Sequence, residues 1–464
     1  MLSEGLLGEL RAIVGPEDVL SKKADLQTYE YDGYLERSRP DAVVFVESTD
    51  EVASVVRASH RAAIPCLPRG CGTNLTGGTI PTKGGIVVEM ARMRRVVEID
   101  TANERMVVES GIYNQEISDI LDPLGYYYAP DPSSGKASSL GGNIAENAGG
   151  PHCFKYGVTF NHVLGAEVVL PDGEVVWLGG KAFDLPGLDL LGGFVGSEGT
   201  FGICTKAILR IMRKAEAVKT LLAIYDSVDD AAETVSAIVA AGMVPATLEL
   251  MDKLAIRAVE ESQALGFPRD AGAVLLIELD GLADGLEDMA GDVRGMCERN
   301  NAREIRVARD EDERVSLWKG RKGAVAAVAR LAPSFLLIDG TVPRTKLPEA
   351  LRRVHQIGSS HGLEIANVAH AGDGNLHPFV LFDSRMPADQ ERAMRAGMEI
   401  LAACVELGGT ISGEHGVGIE KVRAMTMLFT ENDLRAQRWL KKVFDPADLC
   451  NPGKVLPSPV AEPA

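Results

Sequence analysis

Glycine is concentrated in three stretches of the first half of the sequence, and these restrict the fold more than any other feature. They are Pro68-Arg-Gly-Cys-Gly-Thr-Asn-Leu-Thr-Gly-Gly78, the run from Pro130-Asp-Pro-Ser-Ser-Gly135 to Leu140-Gly-Gly-Asn-Ile-Ala-Glu-Asn-Ala-Gly-Gly150, and Gly196-Ser-Glu-Gly-Thr-Phe-Gly202. Glycine lets backbone N–H groups come close to a ligand and adopt positive φ. Successive N–H groups in such turns form anion-binding concavities, and a diphosphate suits them. A single stretch of this kind reads equally well as a turn cluster. Three together, each with Ser, Thr or Asn beside the glycines, point to a dinucleotide site. It is not the Rossmann fingerprint, because after Gly70 and Gly72 the sixth position is Leu75, where that motif requires glycine.

The chain has 464 residues, enough for two or three domains. Its 48 Lys+Arg against 66 Asp+Glu give a formal charge of −18, a balance that excludes nucleic acid as a natural partner and suits solubility. The 7 cysteines are scattered without a C-x-x-C pair, which argues against a disulfide framework, an iron–sulfur cluster or structural zinc. The N-terminus lacks the features of a signal peptide, and no apolar run is long enough to span a bilayer. The expected location is the cytoplasm, with any membrane association made through a partner.

Residues 1–38 read as a helical lead-in, with Leu6, Leu7 and Leu10 on one face behind Ser3 as N-cap. Ala42–Val46 is a strand candidate, Ser48-Thr-Asp-Glu51 a capping-box pattern with Val52, Val55 and Val56 at helical spacing, and Ile64–Leu67 a second strand. From about 84 to 212 short strands alternate with glycine-rich connections. Beyond 213–219 strands alternate with amphipathic helices at 228–241, 254–265, 286–300, 347–361 and 390–407. The expected class is α+β: a nucleotide-binding domain over 39–215, then a ferredoxin-like antiparallel sheet with helices over 216–425. Residues 426–464 form a closing segment.

The sharpest chemistry lies in Ala369-His-Ala-Gly-Asp-Gly-Asn-Leu-His377, flanked by apolar runs. Asp-Gly is a strong two-residue hairpin signal. With Asp373-Gly374 as the turn, His370 faces His377 directly, Cβ atoms about 5 Å apart. Two imidazoles so placed can share a metal ion, although two histidines alone also read as a hydrogen-bonded cross-strand pair. Further on, Ile411-Ser-Gly-Glu-His-Gly-Val-Gly418 offers Glu414 to complete a His-His-Glu set, the catalytic pattern of three protein ligands and an open position. His415 is then available as a general base at neutral pH. Imidazole ligands favour zinc, with manganese the other candidate. The run Trp318-Lys-Gly-Arg-Lys322 reads by itself as a solvated helix face.

The first and third glycine stretches, with Gly141-Gly-Asn143 and Asn147-Ala-Gly-Gly150, resemble the FAD domain of the vanillyl-alcohol-oxidase / p-cresol-methylhydroxylase superfamily, and the resemblance runs through nearly the whole chain. It is closest to the glycolate oxidase flavin subunits and the D-lactate dehydrogenases. It implies a PCMH-type FAD-binding domain made of two α/β subdomains. Arg69, Gly70, Cys71, Gly72, Thr73 and Asn74 would wrap the pyrophosphate, and Gly77 and Gly78 are also expected to bind the cofactor. Gly142, Asn143, Gly149 and Gly150 would line the flavin, Pro130, Asp131 and Asn147 are also expected to bind the cofactor, and His152, just after this stretch, is expected to touch the flavin. Glu198, Gly199, Gly202 and Ile203 would lie near the adenosine half, and the closing motif with Asn451 would return to this domain. Some relatives attach FAD through a histidine in the first loop; Thr73 stands there, so FAD is expected to be non-covalent.

The resemblance also matches His370, His377 and Glu414 to metal ligands, His415 to the base and Arg321 to a residue holding the substrate carboxylate. The dicarboxylate branch carries a further lysine where this chain has Leu336-Leu-Ile-Asp339, which favours a small D-2-hydroxy acid such as glycolate or D-lactate. Iron–sulfur and second flavin subunits are implied as electron-accepting partners, among other acceptors. The competing readings are a flavin-bearing structural or relay subunit without its own turnover, which has no use for a base, and a non-redox FAD-dependent synthase.

Overall fold

The computed structural model describes residues 2–182 and 186–458. The chain divides into two units. The first is Met1–Gly149, Gly157–Lys214 and Glu414–Ala464; the second is Gly150–Tyr156 and Ala215–Gly413.

Among the described residues the first unit has two larger sheets and a two-stranded pair, Tyr126–Tyr127 with Met212–Arg213. One has four strands, in the order Val19–Leu20, Ala42–Phe45, Ile86–Glu89, Cys66–Arg69. Its last three strands are parallel. The helix Thr49–Arg61 starts where Ser48 accepts the Glu51 N–H, as the capping pattern predicts. Its Val52, Val55 and Val56 join Ala42, Val44, Ile86 and Val88 in one core, which also takes Leu6, Leu7 and Leu10 from the lead-in helix Glu4–Val14. The other sheet is antiparallel, in the order Val96–Asp100, Arg105–Glu109, Ile203–Arg210, Val163–Val169, Val175–Gly179.

The second glycine stretch is not all loop. Residues Leu140–Glu146 wind into a helix because Ser139 caps it, Leu140 and Ile144 bury on one side, and Asn147 ends it in the left-handed region at φ 53°.

In the second unit the strands Glu304–Val307, Ala217–Tyr225, Ala273–Gly281 and Thr247–Asp252 lie side by side in that order. Helices Val228–Ala240 and Leu286–Arg299 complete the ferredoxin-like pattern, with Lys253–Gln263 inserted. The sheet then continues beyond that pattern through Ile365–His370, Asn375–Phe382 and Ser334–Leu337. All pairings are antiparallel.

The hairpin register differs from the expected one. His370 pairs with Asn375 and Val368 with His377, so residues 371–374 form a four-residue connection. The reason lies at Gly374, where φ is +83° and an added Cβ would sit 2.0 Å from the Val342 carbonyl oxygen. That backbone is held against a neighbouring segment, and a tight two-residue turn gives way to it. The slip is two residues. Because strand faces repeat every two, both histidines keep one face, where a slip of one would have turned His377 away.

Candidate functional site

In the first unit the loop after the strand Cys66–Arg69 is organised by Asn74, whose Oδ1 accepts the N–H groups of Thr76 and Gly78 at 2.8 and 2.7 Å. Among the described residues, the N–H groups of Cys71, Gly72 and Thr73 meet no protein acceptor, and Gly72 has φ +66°. Such a row of donors fits a diphosphate. A Cβ on Gly70 would sit 2.0 Å from Ser139 Oγ, and one on Gly78 3.0 Å from Glu146 Oε1, so the glycines are required by close packing. Buried polar atoms without protein partners gather in the same region: Ser110 Oγ, Ser138 Oγ and Asn143 Nδ2. A polar guest there would give such atoms partners, and the residues present fit FAD.

Arg69 is placed differently from a phosphate clamp. Its guanidinium donates to Thr79 Oγ1 at 3.1 Å and to the Tyr31 carbonyl at 2.9 Å, and it stacks over Tyr29. It braces the loop from behind. Thr73 is exposed. Asn147 accepts the Phe160 N–H, and the Pro130 carbonyl accepts from Asn114. Gly199 packs on Pro68, Gly202 on the Val169 carbonyl, and Ile203 is core. Asn451 donates to the carbonyls of both Gly78 and Glu198, joining the closing motif to the first and third glycine stretches.

Glu198 is committed to backbone. Its two oxygens accept the N–H groups of Val417 and Gly418, just after His415. Thr76 Oγ1 donates to the His415 carbonyl at 3.2 Å, and the Thr76 carbonyl accepts from Ile419. The His415 segment is therefore fastened to two of the glycine stretches. Behind it lies a cluster of ionisable groups: the buried Glu198, Lys421 and Lys454, with Glu146, whose Oε2 is buried. Burial, then the neighbouring Glu198 charge, raises the Glu146 carboxyl well above its ordinary range. Burial pushes the Lys454 ammonium down to about 8. His415 Nε2 and the Glu414 carboxylate are 3.9 Å apart, and Glu414 packs on Gly149.

In the second unit His370 and His377 are buried, their ring centroids 5.1 Å apart and the rings perpendicular. That spacing fits two imidazoles sharing one ion. Glu249, the Cα partner of His370 on the adjacent strand, meets His370 Nδ1 at 2.8 and 3.0 Å. It also pairs with Arg321 Nη2 at 2.5 Å. Arg321 is 3% exposed, and its Nε has no hydrogen-bond partner among the described residues. The Trp318–Lys322 run is thus not simply a solvated face: Trp318 and Arg321 turn inward from the helix Glu311–Lys322. Asp339 is fully buried and accepts from Ser412 Oγ at 2.7 Å and the Gly413 N–H at 3.1 Å, fixing the residues that lead into Glu414. His152, expected at the flavin, lies in this unit with Nε2 3.3 Å from Glu278 and its ring stacked on Trp318.

Sequence reasoning passed over Glu249 and Asp339. The available signal was a carboxylate inside an otherwise apolar stretch, Thr247-Leu-Glu-Leu-Met-Asp252 and Leu336-Leu-Ile-Asp339.

Comparison with known proteins agrees with this architecture. Residues 40–179 match the FAD binding domain family, and residues 214–455 the C-terminal domain of FAD linked oxidases. The glycolate oxidase subunit GlcD of Escherichia coli (strain K12) is 42% identical over 454 residues, covering 98% of this chain and 91% of that protein. GlcD of Bacillus subtilis (strain 168) is 41% identical over 458 residues, covering 98% and 97%. The mitochondrial D-lactate dehydrogenase [cytochrome] of Arabidopsis thaliana is 30% identical, covering 90% and 74%. Among solved structures, p-cresol methylhydroxylase with substrate bound superposes with a TM-score of 0.82 at 17% identity, covering 98% of this chain and 97% of that one. No described helix is long and apolar enough to cross a membrane. With both halves of the FAD-linked oxidase architecture matched, the chain belongs to the FAD-linked oxidases and is an FAD-dependent oxidoreductase.

Proposed function

We propose that this chain oxidises a small D-2-hydroxy acid, glycolate or D-lactate, to the 2-oxo acid. The observation that carries the reading is Arg321: a buried guanidinium with an unpartnered Nε, on a residue already held by Glu249 beside the two histidines. A substrate carboxylate is the natural anion for it, and its planar fork suits one.

His415 acts as the base that takes the hydroxyl proton, its backbone carbonyl and the following amides held by Thr76 and Glu198. His370, His377 and Glu414 are the proposed ligands of a zinc or manganese ion, which would supply Lewis acidity at the hydroxyl. Non-covalently bound FAD supplies the two-electron acceptor for the hydride that leaves the α-carbon. The substrate thus loses one proton and one hydride and becomes a carbonyl compound. The stretch Leu336-Leu-Ile-Asp339, which carries no lysine, favours a monocarboxylate.

The names of the 42% and 41% identical relatives, each a glycolate oxidase subunit, support a role beside partner subunits that take the electrons onward, of iron–sulfur or flavin type. The proposal keeps the chain in the cytoplasm, reaching a membrane only through such a partner.

The test is anaerobic addition of a panel of D- and L-2-hydroxy acids to the purified FAD-loaded protein. Glycolate or D-lactate should bleach the yellow flavin absorbance within the mixing time of a turnover, and the L-acids of chiral substrates should not. A flavin that stays yellow with every member of the panel rejects the reading and leaves a relay role in its place.

A further inference from the structure

Glu249 lies in the strand Thr247–Asp252, every residue of which is buried. Its carboxylate is 1% exposed, and a leucine stands on either side of it in sequence. A packing role would be met by an apolar residue of similar volume, since an ion pair in such a place contributes little to stability over a hydrophobic replacement. The position instead gathers two groups of the proposed site. One carboxylate oxygen approaches Arg321 Nη2 at 2.5 Å, and both approach His370 Nδ1, at 2.8 and 3.0 Å.

The contact defines the imidazole. The Arg321 guanidinium lies alongside, and a carboxylate oxygen facing a ring nitrogen accepts its hydrogen. A bare Nδ1 at 2.8 Å from an anionic oxygen would set two lone pairs against each other, so Nδ1 carries the hydrogen and donates it to Glu249. Arg321 Nη2 also lies 3.4 Å from Nδ1, longer than its approach to the carboxylate, and is satisfied there. In that tautomer Nε2 is the ring nitrogen that carries the lone pair.

We propose that Glu249 is a positioning residue for the metal: it fixes the tautomer and the ring plane of His370 so that Nε2 is the ligand atom, and it holds the Arg321 guanidinium with the same carboxylate. A carboxylate behind a ligating histidine both orients the ring and raises its basicity. The inference rests on the reading of His370 as a ligand, and goes beyond it by naming what prepares that ligand.

The experiment uses the FAD-loaded protein, stripped with a chelator and titrated calorimetrically with zinc chloride, then with manganese chloride. Wild type should bind one equivalent, and His377→Ala should bind none. Glu249→Gln keeps the volume and should retain FAD at wild-type stoichiometry while its metal affinity falls by about 10- to 100-fold. A Glu249→Gln protein with wild-type metal affinity overturns the inference and leaves the metal reading intact. A wild-type protein that binds neither ion but still bleaches with substrate removes both. Independently of any variant, the ring nitrogen shifts of histidine-labelled wild type, before metal is added, should show His370 protonated at Nδ1. A hydrogen at Nε2 of His370 overturns the inference even where Glu249→Gln fails to fold.

Discussion

The Glu198 carboxylate accepts the Val417 N–H at 2.6 Å across 219 residues of sequence, and its second oxygen accepts the Gly418 N–H at 2.7 Å. Two buried donors thus depend on one side chain. In Glu198→Gln the amide oxygen can serve only one of them, and the other faces an NH2 group. The expected loss is about 1–3 kcal/mol of stability, the cost of one unsatisfied buried donor. Urea unfolding of the FAD-loaded protein measures it. The rate of flavin reduction should fall further than FAD occupancy does, because the His415 segment is what comes loose. An unchanged urea midpoint together with an unchanged rate would show that the clamp is idle.

His415→Ala tests the base directly. FAD content should match wild type. Flavin reduction by substrate should slow by about 10²- to 10⁴-fold, the usual contribution of a general base. A variant that bleaches at the wild-type rate removes His415 from the chemistry.

Arg321 separates binding from stability. Arg321→Met leaves the Glu249 charge buried without its partner and should cost about 3–5 kcal/mol. Arg321→Lys keeps a cation near Glu249 but loses the planar fork, so the protein should fold and its KM for the hydroxy acid should rise by about 10- to 100-fold, equivalent to a lost charge-assisted hydrogen bond. Steady-state kinetics on Arg321→Lys decides it, and an unaltered KM would assign the carboxylate to another residue.

Glu89 makes stability depend on pH. It sits opposite Arg69 in the parallel pair of strands, 4% exposed, and burial lifts its carboxyl to about 7 while Arg69 pulls it back. The folded protein therefore holds this proton more tightly than the unfolded chain. Its contribution is complete below the ordinary value of 4.5 and is lost as pH rises to about 7. The loss is at most about 3 kcal/mol. Glu89→Gln should be more stable than wild type at pH 8 and close to it at pH 4.5, compared by urea unfolding. Equal differences at both pH values would mean that Glu89 is ionised throughout.

Gly72→Ala addresses the dinucleotide loop. At φ +66° an alanine is strained, and its Cβ would lie 2.1 Å from the Arg69 guanidinium that braces the loop. FAD occupancy after purification should drop severalfold while the second unit, which does not contain this loop, stays folded by proteolysis. Full occupancy would show that the N–H row of Cys71–Thr73 is not needed for the cofactor.

Much of this was legible in the residues. The amphipathic helices of the second unit follow their spacing: Val228–Ala240, Leu286–Arg299 and Leu347–His361 form where the periodicity puts them. The glycine loops were legible as tightly packed, positive-φ segments because those needs leave a compositional trace. The strand Thr247–Asp252 was not, since Glu249 and Asp252 interrupt the apolar pattern that marks a buried strand, and their partners, Arg321 and Asn367, are distant in sequence. The hairpin was legible in its faces and not in its register. Asp373-Gly374 signals a turn locally, but the contact of Gly374 with Val342 that lengthens it is tertiary. For Glu198 the family resemblance implies a place near the cofactor, and its bonds to the Val417 and Gly418 N–H groups are ones that no sequence pattern reveals.

The order of segments also bears on how the protein is made. The first unit is assembled from three stretches and needs the last of them: Asn451 holds Gly78 and Glu198, and Cys450 lies beside Cys66 in a short parallel bridge. The second unit draws nearly all its residues from one continuous run, Ala215–Gly413. On the ribosome, where domains fold as their residues emerge, the unit that begins later in the chain can finish first, and the cofactor-binding unit that begins the chain must wait, partly open, for its final residues.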